Sequence, residues 1–231
     1  MDRAPRAFDR RQVLRGALLL GGTMITAAGC GLDQSGPTPA GEPASRPASP
    51  SPAAAAGRKV LLVYFSRPGE NYHYGGRRNL KVGNTQVLAQ MIGARLDCDT
   101  YRIQPVDPYP DDYEQTVARN VQEQTTDARP TIAGALPDLG PYQVILLASP
   151  IWNVRAPMIM TTFTEQFDFT GKTIHPLTTY AMSGLGTTER DYTASCPGAT
   201  PGEGLAVRGE QVTDAGPDID AWLSRTDLPR A

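Results

Sequence analysis

Gly83, Asn84 and Thr85 stand in consecutive positions just before a helical pattern. Each type suits the binding of a phosphate. Gly83 allows close backbone approach, Asn84 and Thr85 add side-chain donors, and a helix N-terminus offers free N–H groups and a favourable dipole. The same triplet also makes an ordinary helix cap. The apolar run that should deliver such a loop, "KVLLVYFS" (Lys59 to Ser66), ends well upstream, and Arg67 opens the excursion that separates the two.

Two further loops carry candidate residues. In "ASPIWNVRAP", Pro150 would stiffen a turn just past a second buried run, followed by Ile151, Trp152 and Asn153. Trp152 either stacks on a planar ligand or packs against its own domain. In "TTYAMSGLGTTERDY", Gly184 and Gly186 permit backbone conformations that other residues resist, and Ser183 and the loop amides suit the edge of a heteroaromatic ring. A plain flexible turn has the same composition. Ser183 is not a hydrolase nucleophile, because the G-x-S-x-G pattern is missing and no His follows it. The two histidines, His73 and His175, are far apart, and the three cysteines form no CxxC pair. No metal site and no catalytic acid, base or nucleophile is expected.

The elements around these loops alternate. "KVLLVYF" is a near-continuous apolar run, as expected of a strand covered on both faces; "YQVILLASP" (Tyr142 to Pro150) is a second strongly buried strand and "KTIHPLTTYA" a third central one. "DTYRIQP" (Asp99 to Pro105) alternates and suits a sheet edge, and "GLAVRG" is a brief last strand. Helical spacing spans Thr85 to Leu96, Tyr109 to Asp127 with Asp111 or Asp112 as cap, Ala156 to Phe169 with Pro157 in its first turn, and about Asp218 to Arg225; a short helix fits Glu189 to Ala194. Strand–helix alternation without a hairpin between consecutive apolar runs predicts a parallel sheet with helices on both faces. Ligands in such sheets bind outside the carboxyl ends of the strands, where the three loops lie. Cys98 and Cys196 then fall near opposite edges, too far apart for a disulfide, and are expected as free thiols.

Residues 1–30 and 31–57 stand apart from the domain at 58–231. The first segment has a basic head (Arg10, Arg11, Arg15), an apolar stretch from Gly16 to Ala28, and "AAGC" ending at Cys30. It reads as an export signal. "RRQVL" resembles the twin-arginine signal, with Asp9 where Ser or Thr is preferred. "AAGC" resembles a bacterial lipobox, with Ala27 in place of the usual Leu. The resemblance implies a lipidated Cys30 at the outer face of the cytoplasmic membrane. The second segment, rich in Pro, Ala, Ser and Gly, cannot bury enough surface to offset chain entropy and reads as a semi-extended tether. The formal net charge is −2 and no basic stripe is present, so no nucleic-acid partner is expected.

In combination, "VYFSR" running into "NLKVGNT", then "YP" with "DY", "SPIW" with "PM", "FDFTGKTIHP", "SGLG" and "GLAVRG" resemble the flavodoxin-like FMN-binding proteins, in particular a branch with an extended first loop. The resemblance implies an α/β flavodoxin-like fold with a five-stranded parallel sheet in the order 2-1-3-4-5. It implies that Ser66, Arg67, Gly83, Asn84 and Thr85 hold the FMN phosphate. Pro150, Ile151, Trp152 and Asn153 would line the isoalloxazine, with Ser183, Gly184 and Gly186 on its other side. The excursion from Pro68 to Val82 would fold out, with Leu80 and Val82 packing its return limb and Tyr72, His73 and Tyr74 overhanging the flavin. Relatives often carry another aromatic and a Gly after the Trp. Here "NVR" follows, and Arg155 faces either the flavin or solvent. The implied function is redox: an electron carrier, or a quinone- or NAD(P)H-linked reductase with a redox partner or small-molecule acceptor. Carriers are usually strongly acidic around the flavin, and this chain is not. The alternative is a flavodoxin-fold ligand-binding surface lipoprotein without redox activity.

Overall fold

A computed structural model describes residues 57–231. The expected export signal, the lipidated Cys30 and all but the last residue of the tether lie outside the described residues. Among the described residues no helix is long and apolar enough to cross a membrane.

Strand β1 (Val60–Phe65) is followed by β2 (Gly69–His73), β3 (Gly76–Leu80), α1 (Asn84–Gly93), β4 (Asp99–Ile103) and α2 (Tyr113–Thr125). Then come β5 (Val144–Pro150), α3 (Met158–Thr164), β6 (Thr173–Tyr180) and α4 (Thr188–Ser195). The chain ends with β7 (Thr200–Pro201), β8 (Leu205–Arg208), a 3-10 turn over Gly209–Asp214, and α5 (Gly216–Arg225). The main sheet runs β4-β1-β5-β6, with β7 and β8 both on the outer side of β6, and every pairing is parallel.

The apolar runs explain the layers. Successive side chains of a strand point to opposite faces. Leu62 and Leu146 pack with Leu88, Ile92 and Trp222 under α1 and α5. Leu61, Val63, Ile145 and Leu147 pack with Ile159, Met160, Phe163 and Phe169 on the other face. Each fully buried Leu, Ile or Phe contributes about 1.5–3 kcal/mol relative to exposure. The edge strand β4 does not alternate in burial: its cover rises from exposed Asp99 and Thr100 to buried Ile103.

Several expectations are corrected. The fifth strand position is filled in two pieces, because the chain leaves the ladder at Gly202 to Gly204. There the Glu203 carbonyl accepts from Trp222 Nε1 and from His175 Nδ1, both at 2.9 Å. The excursion after Arg67 is an antiparallel hairpin, Gly69 pairing with Leu80 and His73 with Gly76. Its two-residue turn places Tyr74 at φ 46° and Gly75 at φ 85°, the left-handed pair that matches strand twist. Val82 is 42% exposed, so the return limb packs down through half-buried Leu80 alone. Helix α2 begins at Tyr113, after the Pro108 and Pro110 that favour extended neighbours, and the Asp112 carboxylate caps Gln115 N–H at 2.8 Å. Helix α3 covers only Met158–Thr164, with Pro157 as its cap, because the chain tightens there into three-residue turns, Gln166 N–H donating to the Phe163 carbonyl and Phe167 N–H to that of Thr164.

Candidate functional site

The two halves of the first loop converge. Ser66 and Arg67 are buried at the end of β1, and Gly83 packs directly on them. A Cβ on Gly83 would lie 2.4 Å from both Ser66 Oγ and the Arg67 carbonyl oxygen, so only glycine fits without a shift. Ser66 Oγ accepts from Gln86 N–H at 3.0 Å, in the first turn of α1. The N–H groups of Asn84 and Thr85 have no acceptor among the described residues, as expected of the first positions of a helix. Thr85 Oγ1 lies 2.7 Å from Thr179 Oγ1.

Arg67 ties the hairpin to the chain before α2. Its guanidinium donates to the carbonyls of Pro110 (2.7 Å), Asp111 (3.2 Å) and Glu70. Its Nε is buried with no partner among the described residues. Burial pulls the Arg67 pKa down, while Asp111, Glu70 and Asp112 oppose that shift, and the group stays charged at neutral pH.

These groups border a cleft of about 240 Å³ at the carboxyl ends of β1, β5 and β6. Ser66, Arg67, Asn84 and Thr85 line one end, and Pro150, Ile151, Trp152 and Asn153 line another wall. Ser183 lines the side fed by β6, together with Thr179 to Met182. Gly83 is not in the lining; it lies behind it and permits the close packing of Ser66 on α1. Gly184 and Gly186 are also outside it. Both have positive φ (57° and 58°), and a Cβ on Gly186 would meet the Val154 carbonyl at 2.2 Å. Thr187 N–H donates to that carbonyl at 2.7 Å, so the chain at Gly186 and Thr187 docks the third loop on the second.

Trp152 packs against its own domain. It meets Tyr109 (4.9 Å) and Phe65 (5.6 Å) edge-to-face in the core and lines the cleft with its remaining surface. Arg155 lies outside the lining, and its Nε is 3.6 Å from the Asp191 carboxylate on α4. Of the three residues expected to overhang, Tyr72 lines the cleft. His73 and Tyr74 pair edge-to-face at 4.9 Å near the hairpin tip, and Tyr74 is 61% exposed.

Several lining residues were missed in sequence. Asn71 comes from the hairpin, Thr116 and Asn120 from α2, and Gly209 and Glu210 from the turn after β8. Asn120 and Thr116 are polar positions buried on α2, which a helical wheel of that acidic, polar segment can flag. Glu210 follows "GLAVRG" with no local signal. Arg67 and Glu210 are the two charged residues of the lining.

Chemically, this arrangement offers one cation and free helix amides at one end and a flat aromatic wall at the other. No metal-holding group of His, Cys, Asp and Glu occurs among the described residues. Cys98 and Cys196 are free, and burial pushes both thiols up to about 11, which keeps them protonated at neutral pH.

A family model described as flavodoxin matches residues 80–226, well over half of the chain. Comparison with curated proteins gives no match. Among solved structures, the chain is similar to a candidate flavoprotein from Bacteroides uniformis, at 27% identity over 73% of this chain and 99% of the other, with a TM-score of 0.58. A candidate flavoprotein from Bacteroides eggerthii is 28% identical over 72% of this chain and 96% of the other, with a TM-score of 0.56. A Lactobacillus acidophilus flavoprotein solved with FMN shares the fold at 16% identity and a TM-score of 0.50, over 69% of this chain and 99% of the other.

Proposed function

Because the chain belongs to the flavodoxin family, we propose that it is an FMN-binding redox flavoprotein whose cofactor occupies the cleft at the ends of β1, β5 and β6. The observation that carries this reading is the meeting of Ser66 and Arg67 with the first turn of α1. The N–H groups of Asn84 and Thr85, which have no acceptor among the described residues, supply donors at one end of the cleft, and Arg67 adds its positive charge there, so an anion fits. Ser66 Oγ and Thr85 Oγ1 add hydroxyls there. Trp152, braced by Phe65 and Tyr109, offers a rigid flat wall for the ring, with Ser183 on the opposite loop.

When bound, FMN supplies the electron-transfer chemistry. The residues bind, orient and shield it, and no side chain is needed as acid, base or nucleophile. The hairpin contributes Asn71 and Tyr72 as one wall of the cleft. That wall suits reduction of a small quinone-like acceptor beside the ring, with NAD(P)H as a donor class, more than an open carrier surface.

We further propose that the protein acts outside the cytoplasmic membrane, held there by a lipid on Cys30, with membrane contact through that anchor alone. The basic head, apolar stretch and "AAGC" support this reading. Cys30→Ala is expected to move the protein from the membrane to the soluble fraction, and undiminished membrane retention would refute the anchor.

The cofactor test is spectroscopic. The purified chain titrated with FMN is expected to perturb the flavin absorbance and quench its fluorescence at micromolar concentration. A protein that leaves both unchanged would refute the flavin reading.

A further inference from the structure

We propose that Glu210 is a two-sided latch that couples occupancy of the cleft to closure of the β2–β3 hairpin, with one carboxylate oxygen holding the hairpin turn and the other receiving a hydroxyl of the bound ligand's polyol chain. This rests on the flavin reading above. Glu210 Oε1 accepts from Tyr74 N–H at 3.3 Å, at the hairpin tip. Glu210 Oε2 is buried and has no partner among the described residues, and Glu210 lines the cleft. Gly209 makes the approach possible, since a Cβ there would lie 2.5 Å from Asn84 Nδ2. The carboxylate is thereby carried to the first turn of α1.

The hairpin is held unevenly. On the α2 side, Glu70 N–H donates to the Asp111 carbonyl at 2.7 Å, and Tyr113 N–H donates to the Glu70 carboxylate at 3.2 Å. Arg77 meets Glu114 at 2.9 Å and stacks 3.6 Å over the Tyr113 ring. On the far side, among the described residues, there is one long hydrogen bond to Glu210, made by a residue at positive φ. The Tyr74–Gly75 turn is therefore held on that side by Glu210.

A buried carboxylate oxygen with no donor is unfavourable. Closing the hairpin over an empty cleft leaves Glu210 Oε2 in that state. A carboxylate accepts and does not donate, so its ligand is a hydroxyl or N–H group and not a phosphate. The sugar-alcohol chain of FMN, between phosphate and ring, carries such hydroxyls. A ligand that binds the closed state better shifts the hairpin towards closure.

The test compares the full chain with E210A and E210Q by flavin titration and by amide hydrogen exchange. In the wild type, saturating FMN is expected to slow exchange of the Tyr74 to Gly76 amides. In E210A the slowing disappears, and FMN affinity falls about tenfold, the usual scale for a hydrogen bond to a charged group. E210Q, which keeps an oxygen acceptor, recovers part of both. Lumiflavin, which has the ring without the polyol chain, binds wild type and E210A alike. Equal losses for lumiflavin and FMN would reduce Glu210 to a structural role and overturn the proposal. Wild-type protein that binds FMN without slowing the turn overturns the latch alone, whereas failure to bind FMN removes the flavin reading and the latch together.

Discussion

The hydroxyls of Thr85 and Thr179 lie 2.7 Å apart and are both buried, clasping the first turn of α1 to the carboxyl end of β6. Replacing one by Val strands the other hydroxyl in the core, which costs about 1–3 kcal/mol. The double Val variant removes donor and acceptor together. Urea unfolding of both single variants and the double is expected to show losses that do not add, with a coupling of about 0.5–3 kcal/mol. Strict additivity would show that the pair does not join the two elements.

Gly83 has φ −69°, so its need for glycine is steric. Gly83→Ala is expected to cost about 1–3 kcal/mol, as other forced insertions do, and to weaken FMN binding by displacing Ser66. Gly134 makes the control: it has φ 80°, and the space a Cβ would occupy there is open. Gly134→Ala is expected to cost about 1 kcal/mol through backbone strain and to leave FMN affinity unchanged. Thermal unfolding and flavin titration of the two variants separate the effects.

Arg67 serves three carbonyls with one planar group. A lysine ammonium cannot span them. Arg67→Lys is expected to lose about 1.5–3 kcal/mol, and to release the base of the hairpin. Trypsin then reaches Arg77 and Arg78 sooner, which peptide mapping over time reads directly. Unchanged cleavage rates would contradict an anchoring role.

His175 is buried against Trp222, their rings 5.7 Å apart and edge-to-face. Its Nδ1 faces the Glu203 carbonyl, which accepts, so Nδ1 carries a proton. Burial lowers its pKa below the ordinary 6.5. The unfolded chain therefore binds a proton first as pH falls. The stability from this site is whole above about pH 6.5 and declines as pH drops from there towards the folded value. Denaturant midpoints at pH 7.5 and 5.5 are expected to differ less in His175→Gln than in the wild type.

Much of the fold is legible in the residues. The runs at Val60–Phe65 and Val144–Pro150 are apolar on both faces because both faces are covered, and that pattern states a parallel sheet; Thr173–Tyr180 is as deeply buried but carries His175, Thr178 and Thr179. The hairpin is harder to read. Its strands, "GENYH" and "GRRNL", are polar, and its turn is Tyr-Gly where Asn-Gly is the common signal. The break between β7 and β8 follows from one carbonyl serving His175 and Trp222, side chains far from it in sequence.

The candidate site divides along the same line. Sequence alone determined which loops carry phosphate-type and aromatic residues, because glycine, proline and β-strand patterning are local properties of the chain. Tertiary structure decided which of those residues share a cleft: Ser183 reaches it while Gly184 and Gly186 turn the chain behind it, and Arg155 faces Asp191. It also brought Glu210 beside α1 and under the hairpin tip, a placement set by the order of strands in the sheet. Burial and direction of a side chain depend on what packs across from it, and those partners are distant in the sequence.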